Sequence, residues 1–92
     1  MTYKSFEDIK FEVIEDLKKD PDKVFNIKMI CKENLIGLHH NVGQWIRIKY
    51  KLWAPDNPLT EGYNTDSSKH PDDISFKIIE EVWEYFNESK TN

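Results

Sequence analysis

Residues 35–53 read LIGLHHNVGQWIRIKYKLW, and the spacing of their apolar side chains decides the fold class. Leu35, Leu38, Val42 and Ile46 share one face of a helical wheel, the three-and-four alternation of a helix packed along one side. His39 lies at the edge of that face beside Gly43, and Trp45 flanks the opposite edge. His40 points elsewhere, almost over Arg47. The helix is expected to end near Tyr50 or Lys51, with Leu52 and Trp53 packing back onto the core. Gly43 costs about 1 kcal/mol of helix propensity relative to Ala. Its expected use is close approach by another backbone or an aromatic ring.

On the N-terminal side, Phe6, Ile9, Val13 and Leu17 recur at helical spacing, and Ile14 widens the stripe. Ser5-Phe6-Glu7-Asp8 can cap this helix, which is expected over Ser5–Lys19. Asp20-Pro21 is a second start signal, Asp as cap and Pro in the first turn. After it, residues 25–30 fit either a short helix or a strand. On the C-terminal side, Pro55, Asn57, Pro58, Gly62, Asn64 and Asp66 mark residues 54–69 as a loop, longer than most connections in a compact domain. Leu59 and Tyr63 are its candidate anchors. A last helix is expected from Pro71 to Asn87, with Asp72 and Asp73 complementing its dipole and Ile74, Ile78, Ile79, Val82, Trp83 and Phe86 forming a broad apolar face. The fold class is therefore all-α: one domain over residues 1–92, a small bundle of three to four helices with a long loop before the last.

Ninety-two residues can bury one modest core. The formal charge of −4, from 17 acidic and 13 basic side chains, disfavours nonspecific binding to a nucleic-acid backbone. The single Cys31 cannot form an intramolecular disulfide, no apolar run approaches a membrane span, and no signal peptide is recognisable. The cytoplasm is the expected compartment, and no membrane partner is expected.

Gly43, Ile46-Arg47, Leu52-Trp53 and His70-Pro71-Asp72-Asp73 also carry a resemblance. With Leu35-Ile36 and His39, they are similar to the pattern of a family of small bacterial proteins grouped as a domain of unknown function. That pattern has Leu-Ile before a His, a Gly, an Ile-Arg-Asn triplet, a Leu-Trp pair, a variable loop and a His-Pro-Asp-like helix start. Ile48 stands where the pattern has Asn. The similarity runs from about Asn34 to Phe86. It implies a helical fold, draws attention to His39, Arg47, His70 and Asp73, and brings no reaction with it.

Three functional readings compete. In the leading one the chain is a small interaction or regulatory domain without turnover, in which Trp45, Tyr50, Trp53 and Tyr63 form an aromatic patch and Arg47 adds polarity. The partner is another protein or a second copy. The alternative is a small anionic ligand or nucleotide held by His39, His40, Arg47, His70 and Asp73, with Arg47 as the fork of donors. The opposing structural reading has Arg47 bridging Asp72 or Asp73. A hydrolase using His39, His40, His70 and Asp73 is the third. No catalytic residue is assigned, because a His and a carboxylate define neither nucleophile nor oxyanion hole. No cofactor or metal is expected, since neighbouring His39 and His40 diverge on a helix and no zinc motif is present. Nucleic-acid binding has Lys28, Lys32, Arg47, Lys49 and Lys51 in its favour, with Trp45, Tyr50 or Trp53 as a stacking surface, and no recognised nucleic-acid-binding motif.

Overall fold

The structure, a computed structural model, describes residues 3–88. Residues 1–2 and 89–92 of the expected domain lie outside the described residues. The chain forms four helices and, among the described residues, no strand: α1 (Phe6–Lys18), α2 (Pro21–Met29), α3 (Gln44–Lys49) and α4 (Pro71–Glu88). Residues 25–29 are thus helical, and Ile30 leaves the helix in an extended conformation.

Each helix start has a local cause. The Ser5 hydroxyl accepts from the Asp8 amide at 3.2 Å, and the Asp20 carboxylate accepts from the Asp22 amide at 3.1 Å ahead of Pro21. At α4 the cap is an imidazole: Nδ1 of His70 accepts from the Asp72 amide at 3.1 Å.

The stretch read as one helix from Leu35 to Tyr50 follows a continuous helical path with three kinds of turn. Lys32–Leu38 is 3₁₀, His39–Gly43 is a π turn, and α3 follows. Backbone angles at Leu38, His39, Gly43 and Gln44 all stay in the right-handed helical region. The overwound 3₁₀ part and the wide π turn offset each other, so Leu35 and Ile46 still point inward and are both fully buried.

The core is built around α4. Ile74, Ile78, Ile79, Val82 and Phe86 meet Ile9, Val13, Ile14 and Leu17 of α1, Ile27 of α2, and Leu35, Ile46, Tyr50 and Leu52. Burial of each such side chain contributes about 1.5–3 kcal/mol. α2 supplies one buried residue, Ile27, and is held also by the Trp83 indole, which donates to the Ile30 carbonyl at 2.8 Å. That bond satisfies the carbonyl where α2 ends.

α3 stops at Lys51, whose φ of 54° is left-handed. The Leu52 amide donates to the Arg47 carbonyl at 3.0 Å and the Lys51 amide to the Ile48 carbonyl at 3.3 Å, the paired bonds of a Schellman end. Leu52 is turned fully into the core, as expected, whereas Trp53 stays half exposed. The 54–69 loop is pinned at its first half by two buried polar side chains. The Asn57 amide donates to the carbonyls of Tyr50 and Lys51, its oxygen accepts from the Leu59 amide, and the Thr60 hydroxyl donates to the Leu52 carbonyl at 2.8 Å. Both residues are at most 2% exposed. A loop so tied is a scaffold element.

Lys51 holds a conformation that glycine adopts without a Cβ penalty. Lys51→Gly is therefore expected to raise the unfolding free energy by about 0.5–1 kcal/mol, read as a higher urea midpoint at unchanged slope.

Candidate functional site

Arg47 is the most unusual side chain of the structure, a guanidinium only 7% exposed. A buried cation must be paired and its donors satisfied. Nη1 donates to the Ser75 hydroxyl at 2.9 Å and Nη2 to the His39 carbonyl at 3.2 Å, while Nε lies 3.4 Å from Oδ1 of Asp72. Ser75 in turn donates to the Asp72 carbonyl at 3.0 Å. The other Asp72 oxygen stands 3.8 Å from Nδ1 of His70 and 3.9 Å from Nε2 of His39, beyond hydrogen-bonding distance. Arg47 thus ties the π turn, α3 and the first turn of α4 together.

Gly43 makes room for this. A Cβ there would lie 3.0 Å from Nη1 of Arg47 and 3.5 Å from the Ile79 side chain. The close neighbour is a guanidinium, in place of the backbone or aromatic ring the sequence suggested. The π turn places the Gly43 backbone and the His39 carbonyl on the same side, against Arg47.

The two chain regions expected to meet do so, with different members in contact. Arg47 and His70 both approach Asp72. Asp73 is exposed, since it lies about 100° further round the helix. His39 approaches the node through both carbonyl and ring, and His40 is exposed with its ring edge-on to His39 at 5.2 Å. The aromatic residues divide into three places. Tyr50 is buried, and its hydroxyl donates to Glu12 at 3.2 Å; burial first, then the Glu12 charge, pushes the phenol far up from its usual range. Trp53 and Tyr63 pack edge-on against the His70 ring at 5.6 and 5.2 Å. Trp45 stands on the other side of α3, about 200° from Arg47.

Trp45 lines a groove of about 680 Å³. One wall is α2 with its end, through Lys23, Asn26, Ile27 and Ile30. The other is Leu38, Asn41, Val42 and Trp45, and Asp16 and Leu17 of α1 close the base. Each wall repeats at i, i+3, i+4, i+7, with the extended Ile30 ending one and the π turn running through the other. Leu17, Ile27, Leu38 and Val42 form an apolar floor, and the same four side chains roof a void of about 10 Å³ above Val13 and Ile46. Asp16 is bound by Lys49 at 2.8 Å and approached by Lys19 at 3.6 Å. The Lys49 hydrogen bond holds its carboxyl below the usual range against the opposing effect of burial. Lys49 also sits 4.9 Å over the Trp45 ring, fixing that wall. A second depression, about 490 Å³ between α1 and α4, is rimmed by Glu80, Glu81 and Glu84, with Lys10 bonded to Glu7 and Glu81; its charged walls favour water.

A family model described as "Domain of unknown function (DUF6794)" matches residues 11–86. The chain belongs to this family. The DUF6794 span includes both groove walls, Arg47, the 54–69 loop and α4 through Phe86. No curated protein and no solved structure matches the chain. Among the described residues no group of His, Cys, Asp and Glu could hold a metal ion, and no helix is long and apolar enough to cross a membrane.

The node makes two checkable demands. Asp73→Ala removes only a charge at the helix start, costing about 0.3–1 kcal/mol. Asp72→Ala also strips the counter-charge from Arg47 and should cost about 1–2 kcal/mol more. That is below the range for fully buried pairs because the Asp72 side chain is 41% exposed. Urea unfolding of the two variants side by side reads the difference. At the cap, His70→Ala is expected to lose about 1 kcal/mol more than His70→Asn, which keeps an acceptor, since both lose the ring contacts with Trp53 and Tyr63. Thermal unfolding at neutral pH separates them by several degrees.

Proposed function

We propose that this DUF6794 chain is a protein-interaction domain that seats an apolar segment of a partner in the groove between α2 and Trp45. The observation that carries the reading is the groove's floor: Leu17, Ile27, Leu38 and Val42 line an open concavity of about 680 Å³ beside a half-exposed indole. Concave apolar sites with a few placed polar groups are where proteins hold ligands, and an exposed Trp at the edge is a favoured anchor.

In this reading Arg47 takes the bridging role to Asp72 and does not contribute polarity to the recognition surface. All three of its nitrogens face groups of the protein, so it holds the walls in place and the recognition surface is aromatic and aliphatic. An anion at Arg47 would have to displace Asp72.

Trp45→Ala tests the reading, since the residue is 39% exposed and its loss spares the buried core. Quantitative affinity capture from the native host is expected to recover a stoichiometric partner with the wild-type chain and at least ~10-fold less with the variant, a loss of the size found at interface anchors. Equal recovery by both, or recovery of nothing, overturns it. Light scattering on the purified chain distinguishes a second copy as the occupant.

A further inference from the structure

We infer that the groove's occupant is an extended segment of three to four residues, one large apolar side chain seated on the floor and an acidic side chain directed to Lys23. This rests on the interaction reading and adds the conformation and charge of the partner.

The amides carry the first half. Asn26 and Asn41 occupy the same i+3 place on the two walls, both are exposed, and among the described residues neither side chain makes a hydrogen bond. An Asn side chain offers a donor and an acceptor, the complement of a peptide group. The main chain of a helical occupant would not serve these amides, because its N–H and C=O groups are consumed along its axis. An extended occupant presents them outward at every residue, and main-chain hydrogen bonds then add to the apolar anchor, as in strand-type peptide recognition. The wall from Lys23 to Ile30 is about 10 Å long at 1.5 Å per residue, which is three residues of extended chain at about 3.3 Å each.

The charges carry the second half. Two charged residues line the groove, Asp16 and Lys23. Asp16 is engaged by Lys49 and Lys19. Lys23 is exposed, and its ammonium has no ion-pair partner among the described residues. Lys23 is therefore the lining charge left to meet a partner, and its complement is an acidic side chain.

The test pans a display library of random eight-residue peptides against the full chain. Selected peptides are then titrated by calorimetry into wild type, Asn26→Ala/Asn41→Ala, Lys23→Glu and Trp45→Ala, each first shown by circular dichroism to be folded. The expected result is enrichment of a large apolar residue with Asp or Glu within a few positions. Affinity should fall at least ~10-fold in the double Asn variant, the scale of two net hydrogen bonds. It should also fall in Lys23→Glu and recover there when the peptide's acid is exchanged for Lys. Peptides that depend on Trp45, ignore the Asn pair and gain helicity on binding would overturn the extended occupant while leaving the interaction reading standing. Peptides indifferent to Trp45, or no enrichment at all, would overturn both the groove and its occupant. A selection lacking acidic residues overturns the charge assignment.

Discussion

Removing a guanidinium from water is the most demanding constraint in this small domain. A buried charge is tolerated only where its donors find partners. For Arg47 those partners come from two separate stretches: the His39 carbonyl in the π turn, and the Asp72 carboxylate and Ser75 hydroxyl three residues apart in α4. Gly43 leaves the space, and the His70 imidazole fixes the first turn of α4 on which Asp72 is displayed. The long 54–69 connection must then deliver Pro71 to one place. Asn57 and Thr60 secure its first half to the carbonyls at the end of α3. The aromatic contacts of Trp53 and Tyr63 hold His70 at its far end.

The same helical stretch serves two sides. Arg47 looks toward α4 and is locked there, while Trp45, half a turn away, faces the groove. Rigidity on one side supports openness on the other: a wall anchored through the partners of the buried Arg47 and the Ile46 packing keeps its shape beside a floor with a small void behind it. The α2 wall is held by Ile27, by the partly buried Val24 and Ile30, and by the Trp83–Ile30 hydrogen bond.

Much of the scaffold was readable from side-chain chemistry. Ser5 and Asp20 cap where their hydroxyl and carboxylate should, the stop near Tyr50 and Lys51 holds, and Arg47 does reach the start of the last helix. The mixed turns of residues 32–49 were hidden because a 3₁₀ part and a π turn offset in angle and reproduce an α-like apolar stripe. Asp72 and Asp73 look equivalent in sequence, and only the phase of α4 against α3 decides between them. Asn57, Thr60 and Ser75 read as ordinary loop or helix-surface polarity, since nothing local announces that their partners are distant carbonyls or a guanidinium. The groove escaped notice for a related reason. Its walls carry Lys23, Asn26 and Asn41 at the regular helical interval, and these polar members dilute any apolar signal.

The π turn also fixes the length of the segment that contains it. Removing one residue between His39 and Gly43 would let the turn close into ordinary α geometry. The wide turn already absorbs one residue more than an α turn would, so the chain on either side would keep nearly the same phase. Leu38 and Trp45 would still flank the trough, while the backbone oxygens between them would shift by one place relative to the guanidinium. Substitution within those five positions is a matter of local fit, but their number decides which carbonyl is offered to Arg47.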